Sequence, residues 1–148
     1  MNTICVDSGF LIALYHESDT HHSQAKNHFT NYFDDTPHQL LVPWPILYET
    51  ISTRMARTRR RMTVFNKDWE ILRSQQRLVL LDDREFRHDA LDECFSEVER
   101  SKEHYRPLSL ADRVIRNILS KVNIKIDFIT FNIGDFADVC KHRIPIVQ

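Results

Sequence analysis

Four acidic residues of this sequence lie where predicted strands end or predicted helices begin: Asp7, Glu49, Asp112 and Asp135. Asp7 ends the first predicted strand, and Glu49 lies in the first turn of the helix after the second. Asp112 lies in the first turn of the helix before the fourth strand, and Asp135 lies just beyond that strand. Carboxylates that share a cleft repel one another unless a cation neutralises them, and oxygen ligands suit Mg²⁺ or Mn²⁺. The pattern predicts a divalent-metal site that could hydrolyse a phosphodiester.

Each of these acids also has a purely structural explanation. Asp7 or Ser8 can cap the helix that follows, and Glu49 is favourable near a helix N-terminus. Ser109 followed by Asp112 fits a capping box, in which the two side chains bond each other's backbone. The metal-site hypothesis therefore depends on all four acids reaching the same edge of one sheet.

The predicted elements supply such an edge, because strands alternate with helices along the chain. This alternation predicts a three-layer α/β/α domain with a parallel sheet, and ligands of such sheets bind beyond the carboxyl ends of the strands. We predict strands at 3–6, 39–42, 78–81, 127–131 and 144–147, and helices at 8–15, 22–33, 45–57, 64–74, 83–101, 110–121 and 133–140.

Composition excludes several classes of protein. The 148 residues predict one domain over 1–148, and the 42% hydrophobic and 28% charged fractions are those of a globular protein. Two glycines cannot form a dinucleotide or P-loop fingerprint, and three separated cysteines suggest neither a disulfide framework nor a zinc site. No apolar run is long enough to cross a membrane and no signal peptide is visible, so we expect a cytoplasmic protein without membrane attachment.

An arginine-rich segment is the one candidate for contact with nucleic acid. The net charge is −1, so affinity for RNA would need a local basic patch. Arg54, Arg57 and Arg61 fall at helical spacing on one side of the predicted helix that begins near Glu49, and Arg60 lies among them. Guanidinium groups bind phosphates bidentately. We predict an RNA clamp here, with a solvated charged face as the alternative.

Four short motifs resemble those of the PIN-domain ribonucleases, and most of all the VapC-type toxins of toxin–antitoxin pairs. They are VDSGFLIAL at 6–14, LYE at 47–49, LSLAD at 108–112 and ITFNIGDF at 129–136. The resemblance covers nearly the whole chain in order and spacing. It implies a PIN-like domain with a five-stranded parallel sheet, and Mg²⁺-dependent cleavage of RNA with Mn²⁺ as a substitute for Mg²⁺. It also implies a VapB-like antitoxin and a homodimer.

Carried over residue by residue, the resemblance makes Asp7, Glu49, Asp112 and Asp135 the catalytic, metal-binding acids. Ser8, Thr130 and Asn132 become polar neighbours of that site. Two positions depart from the pattern: Gly9 stands where relatives more often have Ser or Asn, and Asn132 stands where some have an acid.

Rival interpretations remain open on the sequence alone. Asp82 and Asp83 end the third predicted strand on the same edge, although we expect them to cap a helix at the margin of the sheet. A catalytically silent PIN-like binding module would keep the fold and the arginines. A phosphatase of the haloacid-dehalogenase type is disfavoured, because its D-x-D motif would need an acid where Gly9 stands.

Overall fold

The computed structural model describes residues 2–99, 107–121, 125–140 and 146–147. Five strands appear in chain order: β1 Thr3–Val6, β2 Gln39–Pro43, β3 Leu78–Leu81, β4 Ile126–Ile129 and β5 Ile146–Val147. The helices are α1 Ser8–Tyr15, α2 His22–Phe29, α3 Trp44–Thr50, α4 Thr53–Ala56, α5 Arg59–Ser74, α6 Arg84–Glu99, α7 Leu110–Lys121 and α8 Ile133–Cys140. A π-helical turn, Thr30–Asp34, continues α2.

The strands form one parallel sheet in the order β3-β2-β1-β4-β5. Four strands have four or five residues, whereas β5 contributes only two residues that pair with the end of β4. The predicted α/β fold with a parallel sheet is confirmed, but the sheet consists of four full strands and a two-residue edge pairing. Residues 144 and 145 of the predicted fifth strand lie outside the described residues.

The central strand β1 explains why the acids gather. It pairs with β2 on one side and β4 on the other, and its side chains Ile4, Cys5 and Val6 are fully buried. The chain crosses from one side of β1 to the other after β3, and this change of direction opens a crevice at the carboxyl edge. The segments that follow β1, β2 and β4 therefore meet at one place.

Helix α1 connects the end of β1 to the core. Its apolar residues Phe10, Leu11 and Ala13 are at most 1% exposed, and the Asp7 side chain accepts a hydrogen bond from the Phe10 backbone N–H at its start. This cap satisfies one of the backbone donors that a helix leaves free at its N-terminus. The apolar contacts fix α1, and α1 in turn fixes Asp7 at the carboxyl edge.

The predicted helix over 45–57 is wrong. The chain instead forms α3 and α4, separated by Ile51 and Ser52, and it starts α5 after Thr58. The Thr50 hydroxyl bonds the Ile46 carbonyl at 2.7 Å, and Ser52 and Thr58 have extended backbones. β-branched residues and serine have low helix propensity, and their hydroxyls compete for backbone groups. A run of such residues therefore ends the helix where apolar periodicity alone would continue it.

Helices α6 and α7, which come between β3 and β4 in the chain, pack against each other. Ile115, Ile118 and Leu119 of α7 are buried, and Arg113 on the same helix forms a buried ion pair with Glu97 of α6 at 3.8 Å. The predicted helix 83–101 begins at Arg84, and its last two residues lie outside the described part of the chain. No helix among the described residues is long and apolar enough to cross a membrane.

Candidate active site

Asp7 is the most buried acid of the carboxyl edge, at 6% exposure. One carboxylate oxygen accepts the Phe10 N–H at 2.9 Å, and the other accepts the Thr130 hydroxyl at 2.5 Å. Burial raises the pKa of Asp7 to about 6, although these two hydrogen bonds act in the opposite direction. Both oxygens keep a lone pair, so the carboxylate is held rigidly without being saturated.

Glu49 reaches the same edge from the last turn of α3, so its predicted place in the first turn of that helix is wrong. Its carboxylate accepts the Ser8 hydroxyl at 2.7 Å, which joins the start of α1 to the helix that follows β2. The side chain is half-buried, and burial raises its pKa, with the charge of Asp112 acting in the same direction. The structure therefore brings Glu49 beside Ser8 and within electrostatic reach of Asp112.

Asp112 begins α7 and takes part in the predicted capping box. Its backbone N–H donates to the Ser109 hydroxyl oxygen at 3.0 Å, and Ser109 in turn hydrogen-bonds the Asp112 carboxylate. Burial nevertheless raises the pKa of Asp112, and the nearby Asp135 adds to that increase. The cap explains the position of Asp112, but it leaves unexplained why the carboxylate lies close to other acids.

Asp135 lies in the first turn of α8 and is tied to Asp7 by a chain of hydrogen bonds. The Asn132 side-chain amide donates a short bond to the Asp135 carboxylate. The Asn132 backbone N–H donates to the Thr130 hydroxyl oxygen at 2.9 Å, and that hydroxyl donates to Asp7. Thr130 and Asn132 are thus direct neighbours of the predicted acids, as the resemblance implied.

The acids of the carboxyl edge act on one another electrostatically in pairs. Asp112 and Glu49 both raise the pKa of Asp7, and Asp135 raises that of Asp112. Like charges disfavour each other's ionised forms only over short distances, so these carboxylates share one region of the molecule. The pKa values of Asp7, Glu49 and Asp112 are raised, and a bound cation would lower them.

The donor set matches a hard divalent cation in its chemistry, since it consists of carboxylate and hydroxyl oxygens. The arrangement is looser than a closed metal site. Among residues 2–99, 107–121 and 125–140, no three His, Cys, Asp or Glu side chains stand close enough together to hold a metal ion. Hydrogen bonds to Ser8, Ser109 and Asn132 engage three of the carboxylates, so these side chains would have to reorient to bind a cation.

The rival acids Asp82 and Asp83 are occupied elsewhere. Asp82 pairs with Arg84 at 2.6 Å and accepts that residue's backbone N–H, while Asp83 pairs with Arg87 at 2.9 Å. They follow β3, which is an edge strand of the sheet. Their carboxylates are therefore neutralised by their own arginines, away from the other four acids.

The predicted arginine face is wrong in its geometry. Arg54 belongs to α4, Arg57 follows that helix, and Arg60 and Arg61 lie on α5, so the four do not share one helix. The Arg61 guanidinium bonds Glu17 at 3.2 Å, and its side chain is only 17% exposed. Arg54, Arg57 and Arg60 are exposed. RNA contact by these residues stays a prediction, with Arg61 the least available of them.

Arg116 is a neighbour of the site that the sequence analysis missed. Its guanidinium donates hydrogen bonds to the Asp135 carbonyl and the Asp138 carboxylate. Its positive charge lowers the pKa of Asp112 and so acts against the effect of burial. The sequence signal that could have revealed it is its spacing of four from Asp112, which places both side chains on one side of α7.

The chain is an α/β domain in which four acids lie at the carboxyl edge of a parallel sheet, and this edge is the candidate active site. No family model matches the sequence, and no curated protein matches it. Solved structures do match its fold. VapC20 of Mycobacterium tuberculosis, a toxin that cleaves the sarcin–ricin loop, is similar with a TM-score of 0.59 and 21% identity, over 91% of this chain and 94% of that one.

Two complexes of VapB and VapC are also similar. VapBC2 of Rickettsia felis, bound to a DNA fragment from its promoter, gives a TM-score of 0.59 at 12% identity over 98% of this chain and 97% of that one. DNA-bound VapBC of Salmonella typhimurium gives 0.52 at 14% identity over 99% and 98%. The resemblance to PIN-domain VapC toxins is confirmed at the level of the fold.

Proposed function

We propose that this protein is a metal-dependent endoribonuclease that serves as the toxin of a toxin–antitoxin pair. The observation that carries the proposal is the hydrogen-bonded carboxyl edge of the sheet, where Thr130 and Asn132 join Asp7 to Asp135 and Ser8 bonds Glu49. The charge of Asp112 raises the pKa of both Asp7 and Glu49. The similarity of the fold to VapC20 supports the same conclusion. The change of direction in the strand order beside β1 opens a crevice at this edge.

The four acids would hold Mg²⁺, or Mn²⁺ in its place, and the bound ion would activate water and stabilise the leaving oxygen of the phosphodiester. Asp7 provides a carboxylate that the Phe10 N–H and Thr130 hydroxyl keep in one orientation. Ser8 orients Glu49, and Asn132 orients Asp135. Because water supplies the attacking oxygen and O3′ departs with the upstream fragment, we expect the downstream fragment to carry a 5′-phosphate.

The proposed substrate is single-stranded or loop RNA, and the sarcin–ricin loop cleaved by VapC20 is a suitable first substrate. The two similar VapBC complexes support a VapB-like antitoxin as a partner. We also propose that the protein forms a homodimer and is located in the cytoplasm.

A catalytically silent binding module is the second candidate. It is favoured by one observation, which is that no three acids of the described residues stand at metal-holding distance. Under this alternative the carboxylates would only cap helices and tie elements together, and RNA would stay intact with any divalent ion.

A matched pair of substitutions separates catalysis from capping at the start of α7. Asp112→Asn keeps the side-chain volume and loses the charge, so we expect cleavage of a loop RNA to fall at least about 100-fold in Mg²⁺. Ser109→Ala removes the other half of the capping box and keeps the Asp112 carboxylate, so we expect a loss of about 1 kcal/mol in stability with cleavage largely retained. Cleavage rates and thermal melting of both variants provide the measurement. Equal activity of Asp112→Asn and the parent protein would leave Asp112 with a structural role only.

A further inference from the structure

Arg116 joins the two helices that carry Asp112 and Asp135. Its Nη1 donates to the Asp135 carbonyl oxygen at 2.5 Å and to one Asp138 carboxylate oxygen at 2.7 Å. Its Nη2 donates to the other Asp138 oxygen at 2.7 Å, so the ion pair is bidentate. The Arg116 side chain is only 17% exposed, in contrast to the usual solvated surface arginine.

These bonds act at a specific point of α8. Asp135 lies in the first turn of that helix and Asp138 one turn later, while Arg116 lies one turn after Asp112 on α7. The guanidinium therefore fastens the first turn of α8 to the helix that presents Asp112. Asn132 directs the Asp135 carboxylate within its own turn, whereas Arg116 connects that turn to α7.

We propose that Arg116 is a positioning residue, which fixes the location of Asp135 relative to Asp112 through its fork of hydrogen bonds. The proposal rests on the proposed function in taking these two acids as part of the metal site. A bidentate fork is specific to arginine, because the lysine ammonium is a point charge without planar paired donors. Substitution by lysine therefore separates the geometric role from the charge.

The alternative role is electrostatic, and it predicts different results. A positive charge near the acids repels a metal ion, so a purely electrostatic Arg116 would weaken cation binding in the parent protein. Arg116→Gln would then bind Mn²⁺ more tightly, and Arg116→Lys would resemble the parent. Positioning predicts weaker binding in both variants, since neither side chain can reproduce the fork.

The experiment combines two measurements on the full chain. Hydrogen exchange of α8 without metal reports whether its first turn stays fastened, and Mn²⁺ binding followed by electron paramagnetic resonance reports the state of the acid group. The variants are Arg116→Lys, Arg116→Gln and the milder Asp138→Asn, which remains useful if the arginine variants fail to fold. Lys121→Gln is the matched control, because Lys121 also lies on α7 and bonds Asp89 of α6 at 2.8 Å, away from α8.

We expect both Arg116 variants to exchange about 10-fold faster at the hydrogen-bonded amides of α8 and to bind Mn²⁺ about 10-fold more weakly. Asp138→Asn should change both quantities in the same direction by less, and the control should match the parent. Unchanged exchange in α8, or parental Mn²⁺ affinity in Arg116→Lys, would overturn the proposal. A parent protein that binds no Mn²⁺ would instead overturn the proposed function, while faster exchange in α8 would still support the fastening by Arg116.

Discussion

Replacing Asp7 with asparagine should abolish RNA cleavage and at the same time make the protein more stable near neutral pH. Asparagine keeps the volume of the side chain and an oxygen for the Phe10 N–H, so the cap of α1 survives. The negative charge that would hold the cation is lost, and we expect at least about a 100-fold loss of cleavage. Loss of activity with a gain in stability would distinguish a functional acid from a structural one.

The gain in stability follows from the raised pKa of Asp7. The carboxyl loses its proton near pH 3.8 in the unfolded chain and at about 6 in the folded protein. Between these values the folded state binds more protons, so the contribution of Asp7 to stability decreases as the pH rises and is fully unfavourable above about pH 6. A shift of this size corresponds to about 3 kcal/mol.

Melting curves from pH 4 to pH 8 test this prediction. The melting temperature of Asp7→Asn should exceed that of the parent by several degrees at pH 7 to 8, because each kcal/mol shifts the midpoint by roughly 2–4 °C in a domain of this size. The difference should shrink towards pH 4, where the folded carboxyl is protonated. A variant that is less stable than the parent at every pH would show that the ionised Asp7 carboxylate stabilises the fold.

A divalent cation should raise the melting temperature of the parent protein. The coupled acids repel one another, and an ion that binds only the folded state stabilises it by about 2.7 kcal/mol at 100 times its Kd. Saturating Mn²⁺ or Mg²⁺ should therefore raise the midpoint by several degrees.

Asp7→Asn is the control for this rise and should lose most of it. Calcium is a useful second control, because it binds oxygen ligands without the strict octahedral geometry of Mg²⁺. A parent midpoint that does not respond to Mn²⁺ or Mg²⁺ would favour the silent binding module.

The gathering of the acids could be predicted because it depends on the order of the elements. In a parallel sheet the carboxyl ends of adjacent strands lie at one edge, so residues just after β1 and β4 must meet there. Asp112 follows from the same rule, since it stands at the start of α7, whereas Glu49 lies in the last turn of the short α3 and meets the edge through its bond to Ser8. Ser109 is three residues from Asp112 and could be anticipated as its partner, whereas Ser8 bonds Glu49 from 41 residues away.

The arginines could not be placed in the same way. The apolar spacing of Leu47, Ile51 and Met55 favours one long helix, but the hydroxyl-bearing residues between them end it. Their hydroxyls compete with the helix for backbone hydrogen bonds, and the apolar period contains no information about that competition. Arg61 is bound by Glu17, which is 44 residues away, and Arg116 by residues on α8. Such long-range pairs depend on how helices pack, so the sequence reveals the charges without their partners.

Cleavage of a defined RNA as a function of Mg²⁺ is the most direct test of the central claim that the four acids form a hydrolytic metal site. Purified parent protein should cut an oligonucleotide with the sequence of the sarcin–ricin loop in Mg²⁺ or Mn²⁺, stop in EDTA, and leave a 5′-phosphate on the downstream fragment. Asp7→Asn, prepared in parallel, should leave the RNA intact and thereby exclude a contaminating nuclease. Cleavage that continues in EDTA, or that is equal in the parent and in Asp7→Asn, would contradict the claim.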